Sequence, residues 1–487
     1  MLKSAPQDRA SDPLWIGVAA VAAITIYRVV LLAFSQAELF VDESQYWQWG
    51  QELAWGYYSK PPLIGWVLRG FTELGGDTTF WIRLPGPLFQ AATALILMGA
   101  ARQVTDRRAA AMVAIAFVTL PVVTAGAFLV STDTILMPFF AGALWLYLRL
   151  TGTRSAWAAV GLGLCLGLGM LAKYAAVYFL LGAGLGALVV PQARIAWRDA
   201  GIAALVFLAV IAPNLVWNLQ NDLMTFSHTA DNVDWVRRPG VHLHLDKAVE
   251  FLASQFAVMG PVFFGAFLWL APRAFVRPEW QPRWLVLMAA PTLILVTVQA
   301  ILSKAYANWA VTACLALLLL VVPVLWHRGR TWLWIALVLD LALAALLPFA
   351  FTQATRWTTP KGELLMRRYV GEEEMSARIL EEARLRGVTA VVSDNRLLLA
   401  DLFLRAKGSD IAIYAVPPEG RPDNYYAQRH PYPAGRAAPF LFATLNDAPA
   451  CGEALPTATW KPSPGAYSRD ILRLYLQPRN CWGQPDE

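Results

Sequence analysis

Residues 14–34 form an apolar stretch about as long as a bilayer is thick, and the sequence repeats that device through most of its length. A spanning helix needs about 20 apolar residues. About eleven stretches qualify, at 14–34, 86–104, 109–124, 133–150, 155–171, 174–190, 199–217, 251–271, 284–302, 306–326 and 331–351. The 487-residue chain is 57% hydrophobic and 15% charged and carries 21 Trp, more apolar surface than a soluble core can hide. The expected fold is a polytopic α-helical membrane protein of about 11 spans. The first stretch is too long for a signal-peptide core and lacks a small-residue cleavage site after it, so it reads as an uncleaved signal anchor.

Charge placement orients these stretches. If the N-terminus is cytoplasmic, the inside loops hold Arg102, Arg107, Arg108, Arg149, Arg154, Arg194, Arg198, Arg273, Arg277, Arg283, Arg328 and Arg330. The opposite side receives Glu38, Asp42, Glu43, Glu52, Glu73 and Asp77 in one long loop. This is the positive-inside asymmetry of a multi-pass protein. It explains the net charge of +6 without any basic patch, which excludes nucleic acid as a partner.

Residues 1–352 read as a membrane domain with two long outside loops, about 35–85 and 218–250. Residues 353–487 read as a soluble domain on the same outside face. Charge rises there (GEEEMSARILEEARLRG), and a helical pattern at 372–386 leads to VTAVVS, a strand-length apolar run. A second helix at about 395–406 and the run IAIYAV follow, which predicts a small α/β domain. Cys165 and Cys314 fall inside spans as packing residues. Cys451 and Cys481 share the oxidising side, where a disulfide persists. GLGLCLGLG and LLGAGLGALVV also sit inside spans, with no strand before them, and read as close-packing helix faces, not phosphate loops.

The chemistry concentrates in FVDESQYWQWG, straight after the first span. Asp42 can serve as an N-cap, with Gln45 three residues on. Tyr46, Trp49 and Leu53 then share one face of a helix lying in the membrane interface. Against a purely structural reading, Glu43 adjoins Asp42 at a depth where carboxylates are costly. GYYSKPPLIGW follows, in which Pro61 extends Lys60 and Pro62 can open the next helix. Other outside helix ends carry Arg83, Asp133, Lys173, Lys304, Tyr306 and Asn308. Asp133 can equally complement a helix dipole, and Lys173 and Lys304 can snorkel beside aromatic residues. Of His228, His242 and His244 in the second long loop, His228 is the one retained as a candidate.

A site on this face has no access to cytoplasmic nucleotides. A lipid-linked phosphate sugar suits it, with its tail among the spans and its phosphate at the interface. The leaving lipid phosphate needs positive charge, for which Lys60, Lys173 and Arg83 are candidates. The attacking hydroxyl needs a base, for which Asp42 is the candidate, with Glu43 beside it. Tyr46, Tyr58, Asp133, His228, Lys304, Tyr306 and Asn308 are candidates for binding substrate. A single displacement inverts the anomeric centre.

FVDESQYWQWGQELAWGYYSKPPLIGWVLRG, then WIRLPGPLFQ, resembles the first periplasmic loop of protein-mannosyltransferase-like GT-C glycosyltransferases. SKAYANWAVTACLALLLL is similar as well. The nearest subgroup is that of the Rhizobium galacturonosyltransferase-like enzymes, with aminoarabinose–lipid A transferase more distant. The resemblance covers roughly residues 10–350. It implies an active site facing the periplasm of a bacterial inner membrane, a polyprenyl-phosphate-sugar donor, and a catalytic Asp that carries onto Asp42. It favours a glycolipid acceptor, such as lipopolysaccharide core or lipid A. Many subgroup members have Asp-His before the two prolines, where this chain has Ser59-Lys60, and the aminoarabinose branch has Glu-Lys there. This departure leaves the donor sugar open. Metal use varies across the superfamily, so Asp42, Glu43, Asp133 and His228 are a candidate divalent-ion set. The rivals are a protein O-mannosyltransferase and a transporter or lipid flippase. A transporter favours symmetric halves and ionisable groups at the midplane.

Overall fold

The computed structural model describes residues 12–233, 243–434, 439–462, 464–477 and 481–482. In chain order the helices are α1 (Pro13–Ala33), α2 (Val41–Gln51), α3 (Leu63–Gly75), α4 (Thr79–Arg83), α5 (Pro85–Ala101), α6 (Arg107–Thr119), α7 (Pro121–Gly126), α8 (Thr132–Gly152), α9 (Ala156–Ala172), α10 (Val177–Val189) and α11 (Trp197–Gln220). They continue as α12 (Met224–Val233), α13 (Leu245–Val258), α14 (Pro261–Ala274), α15 (Trp280–Leu302), α16 (Ala313–Arg328), α17 (Arg330–Thr352), α18 (Glu372–Leu385), α19 (Arg396–Arg405) and α20 (Tyr425–Arg429). The chain forms two compact units. The first takes the residues up to Leu32, Ser59–Ile64 and Arg83–Pro348, and the second takes Ala33–Tyr58, Gly65–Ile82 and the residues from Phe349 on.

Each stretch expected to span is helical, but they differ in reach. Among the described residues, α1, Thr79–Ala101, α8, α11, α15 and α17 are long and apolar enough to cross a membrane. Ala156–Ala172, Tyr174–Val189 and Ala313–Arg328 are shorter apolar helices. Two expectations need correction. The single span at 251–271 is a bent pair, α13 and α14, meeting at 116°. Gly260 takes a positive φ of 79° there, and Pro261 opens α14 with no N–H to leave unsatisfied. The span at 306–326 begins later, because Ala307–Ala310 is a 3-10 turn ahead of α16.

Helices in lipid gain little from hydrophobic transfer between one another, so close packing has to hold the first unit together. Its glycines show how close that packing is. A Cβ on Gly163 would lie 2.5 Å from the Ala203 carbonyl oxygen, and one on Gly167 would lie 2.6 Å from Val210 Cβ, which fixes α9 against α11. Gly186 gives the same kind of space to Trp284 of α15. α16 is buried from Ala313 to Val322, as expected of a helix apolar all round. α1 carries a buried cation that the sequence reading passed over. Arg28 donates to the Val118 carbonyl at 2.7 Å and to Thr124 Oγ1 at 2.8 Å, across the break at Leu120–Pro121 between α6 and α7.

The helix ends of this unit sort by charge. At one end Arg107 pairs with Asp12 and His327 with Asp106, bringing together the starts of α1 and α6 and the end of α16. At the other end Asp133 opens α8, Lys173 closes α9 and Asn308 precedes α16.

The second unit holds a five-stranded sheet, β1 (Ala390–Ser393), β2 (Ala412–Ala415), β3 (Phe440–Thr444), β4 (Ala458–Trp460) and β5 (Leu472–Gln477), in the order β2-β1-β3-β5-β4. β1 pairs in parallel with β2 and β3, with Val391 opposite Ile413 and Leu441. β5 runs antiparallel to β3 and β4. β1 and β3 are buried along their whole length, as their uninterrupted apolar runs require. The expected helices and strands at 372–415 form as α18, β1, α19 and β2. Cys451 and Cys481 form a disulfide with Cα atoms 5.6 Å apart, and Cys481 packs with Trp482 on the Phe440–Tyr432 cluster. The segment after α1 folds into this same unit. The Glu38 carboxylate accepts from the N–H groups of Glu372 and Glu373 at 2.6 and 3.1 Å and so caps α18.

Candidate active site

α2 starts two residues earlier than the sequence suggested, and this changes the place of each acid in the helix. Phe40, with φ −74° and ψ 151°, is the N-cap, so Asp42 lies inside the first turn and is not the cap. Glu43, three residues after Phe40, reaches back to the Phe40 N–H at 2.9 Å. Phe40 has no side-chain acceptor, so this is half of a capping box. Glu43 is 2% exposed, with Oε2 engaged at the helix N-terminus.

Asp42 is held differently. Nη2 of Arg396 donates to its Oδ1 at 2.5 Å, while Nε of the same guanidinium donates to Gln45 Oε1 at 2.9 Å. Arg396 thus spans one turn of α2, from Asp42 to Gln45. Both members of the ion pair are partly exposed, at 46% for the Asp42 side chain and 37% for Arg396. Asn395, the N-cap of α19, aims Arg396 by accepting from Leu397 and Leu398.

The rest of α2 is rigid support. Trp49 is fully buried and stacks on Tyr57 at 4.8 Å and 2°, and the Tyr57 hydroxyl donates to the Trp49 carbonyl at 2.7 Å. Burial raises the pKa of that phenol. Gly65 makes the stack possible, since a Cβ there would meet Trp49 and Tyr57 at 3.2 Å. Trp47 donates to Asp77 at 2.7 Å, and Lys407 bridges Asp77 and Gln51 at 2.6 and 2.8 Å. Tyr46, a candidate for substrate, packs on Trp49 with 6% exposure. Tyr58, likewise a candidate, is 7% exposed, and its hydroxyl donates to the Pro422 carbonyl at 2.9 Å. Leu53, expected on the Tyr46–Trp49 face, lies past the end of α2 and is exposed.

In the first unit Asp133, Lys173 and Asn308 come together. Ser131 caps α8 and places Asp133 in its first turn. Lys173, extended at φ −160° after α9, donates to both Asp133 oxygens at 2.7 and 2.8 Å. Asn308 Nδ2 donates to Oδ2 at 2.9 Å. The ion pair is mostly buried, at 17% and 14% exposure. A cavity of about 210 Å³ adjoins it, lined by Gln90, Val123, Ser131, Met137 and Val311 among others.

Lys60 is half-buried, and Arg83 is wholly buried at the end of α4, where it was expected to open the next span. Pro62 precedes α3, which begins at Leu63. Lys304 and Tyr306 are exposed, with the Tyr306 ring edge-on to Trp309 at 5.5 Å. His228 lies on helix α12, not in an open loop, two residues from Phe226, whose ring stacks on Tyr174 at 5.0 Å. His242 falls outside the described residues. Among the described residues no three His, Cys, Asp or Glu side chains gather as a metal site. Glu43 is committed to a helix end and Asp133 to Lys173 and Asn308.

A multi-pass helical membrane unit joined to a small mixed sheet matches a known architecture. The crystal structure of ArnT from Cupriavidus metallidurans bound to undecaprenyl phosphate has a TM-score of 0.66 at 15% identity, covering 94% of this chain and 97% of that one. The apo structure of the same enzyme has a TM-score of 0.61 at 15% identity, covering 88% and 93%. The fold is that of the GT-C membrane glycosyltransferases. The signature of the family described as dolichyl-phosphate-mannose-protein mannosyltransferase matches residues 59–217. Over 469 residues, 96% of this chain, the sequence is 39% identical to the lipid A galacturonosyltransferase RgtD of Rhizobium johnstonii, covering 98% of it. The chain belongs to that glycosyltransferase family and is a membrane glycosyltransferase.

Proposed function

We propose that this enzyme moves one sugar from a polyprenyl-phosphate donor onto lipid A or a related glycolipid, on the periplasmic face of a bacterial inner membrane. The observation that carries the mechanism is Asp42, in the first turn of α2 with Oδ1 held by Arg396. No described residue donates to Oδ2. That oxygen accepts the proton as an acceptor hydroxyl attacks the anomeric carbon. The bond from that carbon to the phosphate oxygen breaks, and the lipid phosphate leaves as an anion. No general acid is needed, because the leaving group is already ionised. Lys60 and Arg83 supply positive charge to it. Lys173 spends two of its three N–H groups on Asp133, so its part is to order the helix ends and offer the third. Attack and departure on opposite faces invert the anomeric centre.

The sugar and acceptor are drawn from the relative. RgtD is a lipid A galacturonosyltransferase, so a galacturonic acid donor and a lipid A acceptor are the first pair to test. Arginine placement supports the orientation, with the N-terminus in the cytoplasm and residues 353–487 outside. A periplasm-dependent reporter fused after Gln353 is expected to be active, and inactive at Arg108 or Arg330. Mass spectrometry of lipid A and envelope glycans, with and without the protein, is the functional test. Gain of one hexuronic acid on lipid A supports the proposal. Unchanged lipid A together with a sugar gained on periplasmic proteins would replace it with the protein O-mannosyltransferase reading.

A further inference from the structure

A groove between α14, α16 and the start of α17 takes no part in the proposed transfer. It encloses about 560 Å³ and is lined by Val262, Ala266, Trp269, Val324, Leu325 and Trp332. That volume falls in the range of pockets that hold a small ligand. Two guanidiniums, Arg277 from the turn after α14 and Arg328 from the end of α16, also line it. Their neighbours are occupied. Arg273 lies 4.1 Å over the Trp269 ring and donates to its carbonyl, Arg330 lies 4.1 Å over Trp326, and His327 pairs with Asp106. Among the described residues, Arg277 and Arg328 have no carboxylate partner.

The groove lies at a defined depth. α16 runs from the Asn308 side, where Asp133 and Lys173 meet, to Arg328. Its 16 residues cover about 24 Å, so the arginine end faces the opposite leaflet from that cluster. Trp269 and Trp332 are 56% and 59% exposed, the placement of rings at a membrane interface. An apolar trough ending in two unpaired cations at headgroup depth is complementary to a lipid with a net negative headgroup. A zwitterionic headgroup would bring an ammonium against the arginines.

We propose that this groove binds an anionic phospholipid of the leaflet at the arginine end. The phosphate lies between Arg277 and Arg328, and one acyl chain runs along Ala266, Val324 and Leu325. The test uses the full-length protein in detergent and reads the shift of its unfolding midpoint on titration with phosphatidylglycerol, phosphatidylcholine or inorganic phosphate. Each variant is compared with its own lipid-free midpoint. Phosphatidylglycerol is expected to raise the wild-type midpoint, and phosphatidylcholine and phosphate to leave it in place. Arg277→Gln with Arg328→Gln should need about tenfold more phosphatidylglycerol for the same shift. Gly265→Leu fills the trough with both arginines intact, and its Cβ meets only Phe256 at 3.8 Å, so it should fold and lose the response as well. A phosphatidylglycerol response unchanged in either variant would overturn the proposal, and so would an equal shift from inorganic phosphate.

Discussion

Asp42 and Asp133 each stand second in a helix, and each is held by one cation. Asp133 is 14% exposed, and both its oxygens are engaged by Lys173, with Asn308 adding a third hydrogen bond. Asp42 is 46% exposed, with one oxygen on Arg396. The first arrangement saturates a carboxylate and ties three helix ends together. The second orients a carboxylate and leaves it able to accept a proton. On the proposed mechanism the same residue at the same helical position is structural in one unit and chemical in the other, and the number of donors aimed at it is the difference between them.

The largest effect on stability should come from breaking the saturated pair. Lys173→Met leaves the Asp133 carboxylate buried without its counter-charge, and removal of one partner of such a pair costs about 3–5 kcal/mol. Adding Asp133→Leu should restore most of that loss, because neither charge then remains. Thermal or denaturant unfolding in detergent checks both. A Lys173→Met protein as stable as wild type would make the pair a surface feature.

In the second unit the disulfide closes a loop with its cysteines 30 residues apart. Its loss in Cys451→Ser with Cys481→Ser is expected to cost about 2–4 kcal/mol. Reduction of the wild-type protein should lower the unfolding midpoint to the same value, and should not move the midpoint of the double variant further.

Arg396→Gln removes the orienting cation from Asp42. An exposed pair contributes at most about 1 kcal/mol to stability, so folding should be little changed. Turnover should fall by about tenfold if orientation of the base matters. Arg396→Lys, which keeps charge but not the two-pronged grip on Asp42 and Gln45, should recover only part of it.

The smallest effect concerns pH. Burial lowers the pKa of His430, which packs against the Phe403 ring; Glu52 at 3.4 Å opposes this and Arg429 adds to it, and the net direction is down. Between that depressed value and the ordinary histidine value, the unfolded chain binds more protons than the folded one, so stability rises with pH. Stability of the second unit should therefore fall as pH drops below about 6.5, and His430→Gln should flatten this slope.

The sequence carried the helical segments, the helix–strand alternation at 372–415 and the pairing of Cys451 with Cys481, because hydrophobic period and compartment chemistry are local signals. It misjudged the break at 259–260, although Gly260-Pro261 is a breaker pair inside an apolar run. It expected Asp42 either as the cap of α2 or as the base, whereas the cap is Phe40, two residues earlier, and a helix start is uncertain by one or two residues. Arg396 stands 354 residues from Asp42, and no local pattern reveals such a contact. One hint was present: a cation directly after the N-cap Asn395 opposes the helix dipole, which calls for an acidic partner elsewhere. Arg28 and Asp340, buried in α1 and α17, were hidden by the apolar runs around them.

The division of labour between the two aspartates can be tested in a single experiment, with Asp42→Asn and Asp133→Asn prepared side by side and measured for sugar transfer and for unfolding. Asn preserves the size and shape of the side chain at both positions and removes its charge. Asp42→Asn should bind the lipid-linked donor and unfold like wild type, yet lose about 10²–10⁴-fold in turnover, as removal of a general base does. Asp133→Asn should lose stability, through the uncompensated Lys173, and keep most of its turnover at temperatures where it is folded. A fully active Asp42→Asn enzyme would contradict the account and move the search for the base to Asp133.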